Sequence, residues 1–175
     1  MFNLLKLFLR VFLFFAVIMT IVLVTNKVFR GEELDLRHFN WHFLRNGLIY
    51  TIILVGFHLI SLIWKGINPL VAENLAVDQH KSIRSITQKY ELLNDLVEDR
   101  KFGKMFITSD DHSIQLVKDK FWKAWGEKIS IEIKSIGGDI FEYEVSSSPR
   151  RRFIMVDMGR NFQNVKRIAG FLKAV

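Results

Sequence analysis

The sequence predicts an α-helical membrane hairpin of two transmembrane helices, followed by a small α+β cytoplasmic domain. In that domain a three-stranded antiparallel meander packs against flanking helices. Three observations carry this reading. Residues 1–64 of the 175 hold two long apolar runs. Residues 65–175 have the charged composition of an ordinary soluble domain. Near residue 130, isoleucines alternate with polar residues and lead into a Gly-Gly pair. Half of the chain is hydrophobic, which excludes a disordered polymer. It contains no cysteine, which excludes disulfide scaffolds, thiolate catalysis, Cys-ligated zinc and iron–sulfur clusters.

The first apolar run, Val11 to Thr25, has no charge, and Leu4, Leu5, Leu7, Phe8 and Leu9 extend it past Lys6 and Arg10. Crossing the hydrocarbon core takes about 20 helical residues, and long basic stems near an end snorkel to the headgroups. Leu5–Thr25 therefore suffices. A cleaved signal peptide needs small residues at two positions before the cut. The run instead ends Val22-Leu23-Val24-Thr25-Asn26-Lys27, so an anchor is expected. The second run, Leu48 to Trp64, ends on Trp64 and Lys65, an interfacial stop. Five Lys and Arg residues flank the outer ends of the two spans and four lie between them. With the larger domain left on the side of synthesis, this places both termini in the cytoplasm.

Residues 1–65 thus form a membrane anchor with an interfacial loop over residues 26–47, where Phe39, Trp41 and Phe43 suit the headgroup level; Phe39 and Trp41, with His58, are the expected contacts to helices of a partner. On a helix, Asp35, His38 and His42 share one face, a ligand set for zinc or non-haem iron. The period-two aromatics argue against a helix there, and the interfacial segment is preferred. His58 lies near the middle of the second span. An ionisable group at that depth faces protein rather than lipid, and His58 is expected to hydrogen-bond another helix, within the anchor or in a partner, rather than to ligate haem.

Gly66 and Pro69 end the second helix. Residues 66–103 read as a helical connector in which Ile83, Ile86, Tyr90, Leu93 and Val97 step by 3 and 4. Two heptads are short for a coiled coil, so the stripe is expected to pack on the following domain, with a homo-oligomeric seam as the lesser reading. Residues 104–175 form the α+β domain. Met105–Thr108 reads as a strand. Ser109-Asp110-Asp111 offers N-cap chemistry for a helix through Ile114, Val117, Phe121 and Trp125. Ile129, Ile131 and Ile133, then Gly137-Gly138, then Phe141, Tyr143 and Val145 describe a β-hairpin with one buried face. Ser146–Pro149 reads as a turn and Phe153–Val156 as a third strand. Gly159 opens a last helix through Val165, Ile168, Ala169 and Leu172.

Catalytic signatures are missing. Gly137-Gly138 lies between strands, where no helix N-terminus can receive a phosphate. Gly159 lacks the other glycines of a phosphate loop, and Ser146–Ser148 have no nucleophile elbow. No enzyme activity and no cofactor are implied. The densest basic cluster is Arg150-Arg151-Arg152 in a chain of net charge +7. It suits anionic lipid or protein docking, or a solvated sheet edge; nucleic acid is disfavoured because RNA-binding signatures and aromatic platforms are absent. The expected function is that of a non-enzymatic membrane accessory, assembly or scaffold subunit, partnered by other membrane proteins. The alternatives are a tethered module for anionic lipid or another ligand, with a pleckstrin-homology-like barrel as one form, and a metal or haem protein.

Overall fold

In a computed structural model, which describes residues 2–33, 36–117, 126–151, 154 and 156–174, the chain divides into two compact units, Met1–Leu75 and Ala76–Val175. The first holds two long helices, α1 (Phe2–Arg30) and α2 (Leu36–Trp64), and a short 3-10 turn at Ala72–Leu75. Both helices contain stretches long and apolar enough to cross a membrane, Leu4–Arg30 and Asn40–Trp64. The expected loop over 26–47 shrinks to the residues between Arg30 and Leu36. The period-two aromatics misled because Phe43 keeps helical phase with Gly47 and Thr51, and its ring packs edge-on against Phe12, centroids 6.1 Å apart.

The helices pack along a narrow seam. On α2 it is Gly47, Thr51, Val55, His58 and Leu62, all buried, at steps of 4, 4, 3 and 4 that keep one helix face inward. A Cβ on Gly47 would lie 2.8 Å from the Cβ of Ala16 and 2.9 Å from the Phe12 ring. Glycine is therefore what allows α2 to approach α1 at this level. Thr51 donates its hydroxyl to the Gly47 carbonyl at 2.6 Å, which satisfies the polar group without a cross-helix partner.

The second unit is a five-stranded antiparallel sheet covered on one face by helices. Its elements are β1 (Gln79–Ser85), α3 (Lys89–Glu98), β2 (Phe106–Ser109), β3 (Ser113–Val117), β4 (Glu127–Gly137), β5 (Ile140–Pro149) and α4 (Arg160–Phe171). The strand order is β1-β5-β4-β3-β2. The expected hairpin is β4–β5, with Ile131 opposite Val145 and Ile133 opposite Tyr143. Inward-facing Ile83, Ile114, Leu116, Ile129, Ile131, Tyr143 and Val145 meet Leu92 and Leu96 of α3 and Val165 and Ile168 of α4 in one core.

The three-stranded meander is thus corrected to a five-stranded sheet, and each missed strand has a physical cause. Ser146–Pro149 is not a turn: these residues continue β5, pairing with Ser130, Ile129, Lys128 and Glu127 in order. Pro149, which lacks an N–H, occupies the strand's last position, where a missing donor costs least. The connector is not one helix: Gln79–Ser85 pairs with β5 over seven positions, and that ladder outweighs a weak helical stripe. In the stripe, Tyr90 is 64% and Val97 59% exposed, while Leu92 and Leu96 are buried; α3 packs with the opposite phase. The helix after Ser109 is instead the β2–β3 hairpin. Ile114 and Leu116 both face the core, so period two prevails. Asp110 makes the turn, accepting from the backbone N–H groups of His112 at 3.0 Å and Ser113 at 2.7 Å. Phe121 and Trp125, placed on that helix, and Phe153 and Met155 of the expected third strand lie outside the described residues; Ile154 and Val156 belong to no strand. With β1 and β2 as its edges, the sheet is open rather than the barrel of a pleckstrin-homology-like domain.

Glycine and aspartate set the start of α4. Gly159 adopts φ 71° as its N-cap residue, and Asp157 accepts from the N–H groups of Gly159 at 2.9 Å and Asn161 at 2.7 Å. Ile131→Ala is expected to cost roughly 2–5 kcal/mol through the cavity it leaves, whereas Tyr90→Ala stays within about 0.5 kcal/mol as a surface change. Urea unfolding of the detergent-solubilised chain checks the pair, and equal costs would contradict the helix phase described here.

Candidate functional site

Three groups of polar side chains are candidates for function, and they differ in what surrounds them. In the helical unit His58 is 1% exposed on the packed face of α2, in phase with Thr51 and Leu62. Trp41 is 62% exposed. His42 Nδ1 lies 3.4 Å from the guanidinium of Arg45. Asp35 and the side chains of His38 and Phe39 lie outside the described residues, so the Asp35–His38–His42 set is represented only by His42; among the described residues no group of three or more metal-ligating side chains comes together.

The second group lies beneath the sheet. Ser147 on β5 points inward in register with the core residues. Its hydroxyl donates to Asn161 Oδ1 at 2.7 Å, and Asn164 Nδ2 reaches both Ser147 Oγ at 3.1 Å and Glu127 Oε2 at 2.9 Å. Asn161 Nδ2 donates to the Val77 carbonyl at 2.8 Å. All four side chains are buried. A buried carboxylate is tolerated only when hydrogen-bonded, and Asn164 supplies that bond. The network pins the first turn of α4 to β4, β5 and the chain entering β1. The signal for half of it was in the sequence, since Asn161 and Asn164 share the phase of Val165 and Ile168. Glu127 and Ser147 required the register.

The third group is the open face of the sheet. Even-numbered residues of β4 and β5 point there, and register places Ser113, Glu132, Glu144 and Ser82 in one row, with Lys134, Glu142 and Arg84 in the next. Glu132 opposite Glu144 is a like-charge pair, which disfavours the sheet unless a cation intervenes. Lys134 does so diagonally, 2.6 Å from Glu144. Its hydrogen bond and charge hold the Glu144 carboxyl below its usual range, with His80 adding, and Glu144 in turn raises Lys134, helped by Glu132 and Glu142. A groove of about 1040 Å³ runs from this face to the β2–β3 turn, lined among others by Lys89, Asp110, His112, Glu132 and Lys134. Ser113 on its rim donates its hydroxyl to Asp110 Oδ2 at 2.8 Å. That bond, followed by the backbone N–H of His112, lowers the Asp110 carboxyl. The serine thus braces the β2–β3 turn.

Arg150 and Arg151 are exposed just past β5, where the Arg150 N–H continues the ladder to the Gly126 carbonyl at 3.2 Å. Arg152 lies outside the described residues. Arg150 and Arg151 are not among the residues that line the open-face groove. No family model matches the chain, and comparison with curated proteins and with solved structures gives no match either.

Two outcomes follow. Asn164→Asp removes the donor to Glu127 and sets a second carboxylate beside it; a loss of roughly 1–3 kcal/mol is expected at neutral pH, shrinking in acid as a protonated carboxyl regains a donor. Unfolding by urea at pH 7 and pH 4 measures both. Burial, with Glu91 adding, pushes the Tyr143 hydroxyl up to about 12, and it donates to the Thr87 carbonyl only when neutral. Its contribution to stability is complete below the ordinary tyrosine value of 10.0 and lost as pH rises toward 12. Tyrosinate absorbance should show a late-titrating component that Tyr143→Phe removes.

Proposed function

We propose that this protein is a non-enzymatic integral membrane subunit, an accessory, assembly or scaffold component that α1 and α2 anchor across the bilayer with both ends cytoplasmic. The observation that carries the reading is the apolar surface left outside the helix seam. Leu5, Leu9, Leu13, Val17 and Ile21 form one exposed row on α1, and Ile52, Ile53, Phe57, Ile60 and Ile63 are exposed on α2. Water does not support contiguous apolar surface of this length, whereas lipid or neighbouring transmembrane helices do. The seam uses Gly47, Ala16 and Thr51, small residues that let helices approach closely where no hydrophobic drive exists between them.

The subunit role is supported by how the polar groups are employed. His58 faces into the helical unit, Ser113 and Asp110 brace a turn, and Ser147, Asn161 and Asn164 hold α4 to the sheet. These groups serve structure, and recognition falls to surfaces: the outer helix faces and the charged face of the sheet.

Membranes from cells expressing the chain, washed with alkaline carbonate, should retain it. Purification in mild detergent with mass spectrometry of bound proteins should return a membrane partner in stoichiometric amount. Release by carbonate would contradict the anchor, and a solitary protein would contradict the subunit role.

A further inference from the structure

The charges of the α+β unit are sorted by end of the sheet. Gln79, where β1 begins, pairs with Ser147, so the chain leaving the helices enters the sheet at the end where β5 finishes. At that end one row crosses four strands: Phe106, Val117, Lys128 and Ser148. Lys104 precedes β2, Arg150 and Arg151 follow β5, and Arg160 opens α4, whose first turn is tied to Val77 at the same end. Lys104, Lys128, Arg150, Arg151 and Arg160 are exposed, and so is Phe106, at 68%. Of the three nearby carboxylates among the described residues, two are engaged internally: Asp157 accepts from the start of α4 and Glu127 is buried against Asn164. Asp78 remains exposed. The opposite end carries Glu132, Glu142, Asp110 and Asp139, offset in part by Lys89, Lys134 and Arg84.

We infer that this basic end of the sheet docks on an anionic bilayer surface, with Phe106 entering the headgroup layer and the arginines engaging lipid phosphates. The inference rests on the membrane anchor proposed above and goes beyond the subunit role. Guanidinium groups bind phosphate oxygens bidentately, and each basic residue near an anionic surface shifts a binding ratio by roughly fivefold. An aromatic side chain among them suits the interfacial region. A tethered domain is already held near the bilayer, so a few such contacts suffice to fix its orientation. Nucleic acid is a poorer occupant, because a single exposed aromatic at this end among the described residues makes no stacking platform.

The absence of cysteine makes the test direct. Ser148→Cys marks the basic end and Asp139→Cys the opposite hairpin tip, each labelled with a fluorophore. The full chain is reconstituted into vesicles of phosphatidylcholine, alone or mixed with phosphatidylglycerol, containing a headgroup spin-label quencher. Quenching at Ser148→Cys is expected in the anionic vesicles only, relieved by about 1 M salt, where the screening length falls to about 3 Å. Adding Arg150→Gln with Arg151→Gln should lower the docked ratio roughly thirtyfold, while Arg150→Lys with Arg151→Lys, which preserve the charge, should keep most of it. The Asp139→Cys probe should stay bright throughout. Equal quenching of the Ser148→Cys probe in neutral and anionic vesicles, or equal quenching at both ends, overturns the inference while leaving the anchor intact. Loss of the chain from the vesicles on carbonate washing overturns both.

Discussion

Every element of the α+β unit takes its position from the β4–β5 ladder. It is the longest pairing in the protein, and it lies at the centre of the strand order, with β1 on one side and β3 and β2 on the other. Side chains alternate with period two, so a slip of one residue would turn Ile129, Ile131 and Ile133 out to solvent and bring Lys128, Ser130 and Glu132 into the core. The Gly137-Gly138 turn, with φ of 135° and 59°, and the irregularity between Ser135 and Gly137 fix the register at one end. The Ser147–Asn161–Asn164–Glu127 network fixes it at the other. Both faces depend on that choice: the inward face receives α3 and α4, and the outward face collects the charged rows.

Legibility of the sequence followed the range of the forces involved. The two long helices announced themselves because an apolar run of that length has few other folded uses. The β4–β5 hairpin and α4 were readable because alternation and 3.6-residue periodicity are local. β1 and β3 were not. Gln79–Ser85 contains one strong apolar residue, Ile83, and becomes a strand because β5 would otherwise expose a row of backbone donors and acceptors. Ile114 fitted a helix through Val117 and a strand through Leu116, and only the neighbouring edge of β4 decides between them. The candidate site was legible in pieces. The arginine run was plain, but its grouping with Lys104, Lys128 and Arg160 depends on pairings no local pattern contains.

The helical unit obeys a different balance. Its seam combines small and polar residues, Ala16, Gly47, Thr51 and His58, with a few buried aliphatics, Val11, Val55 and Leu62, while most of its other aliphatic side chains face outward. This inverts the arrangement of a soluble helix pair. Aromatic contacts flank the seam, including Phe15 stacked on Tyr50 at 5.6 Å between centroids. They add packing without adding a polar group that burial would leave unsatisfied.

The pairing of β1 with β5 also sets an order of events during synthesis. Ser82 meets Glu142 across 60 residues of chain, and Ser85 meets Lys173 across 88. At about 5–20 residues per second, β1 waits roughly 3–12 s after its own translation before its partner strand exists. α1 and α2 are complete before β1 is made. The two helices are therefore complete while the first strand is still single and exposed, and Lys81 and Arg84 lie on that strand, charges of the kind that guard a waiting edge against pairing with the wrong chain.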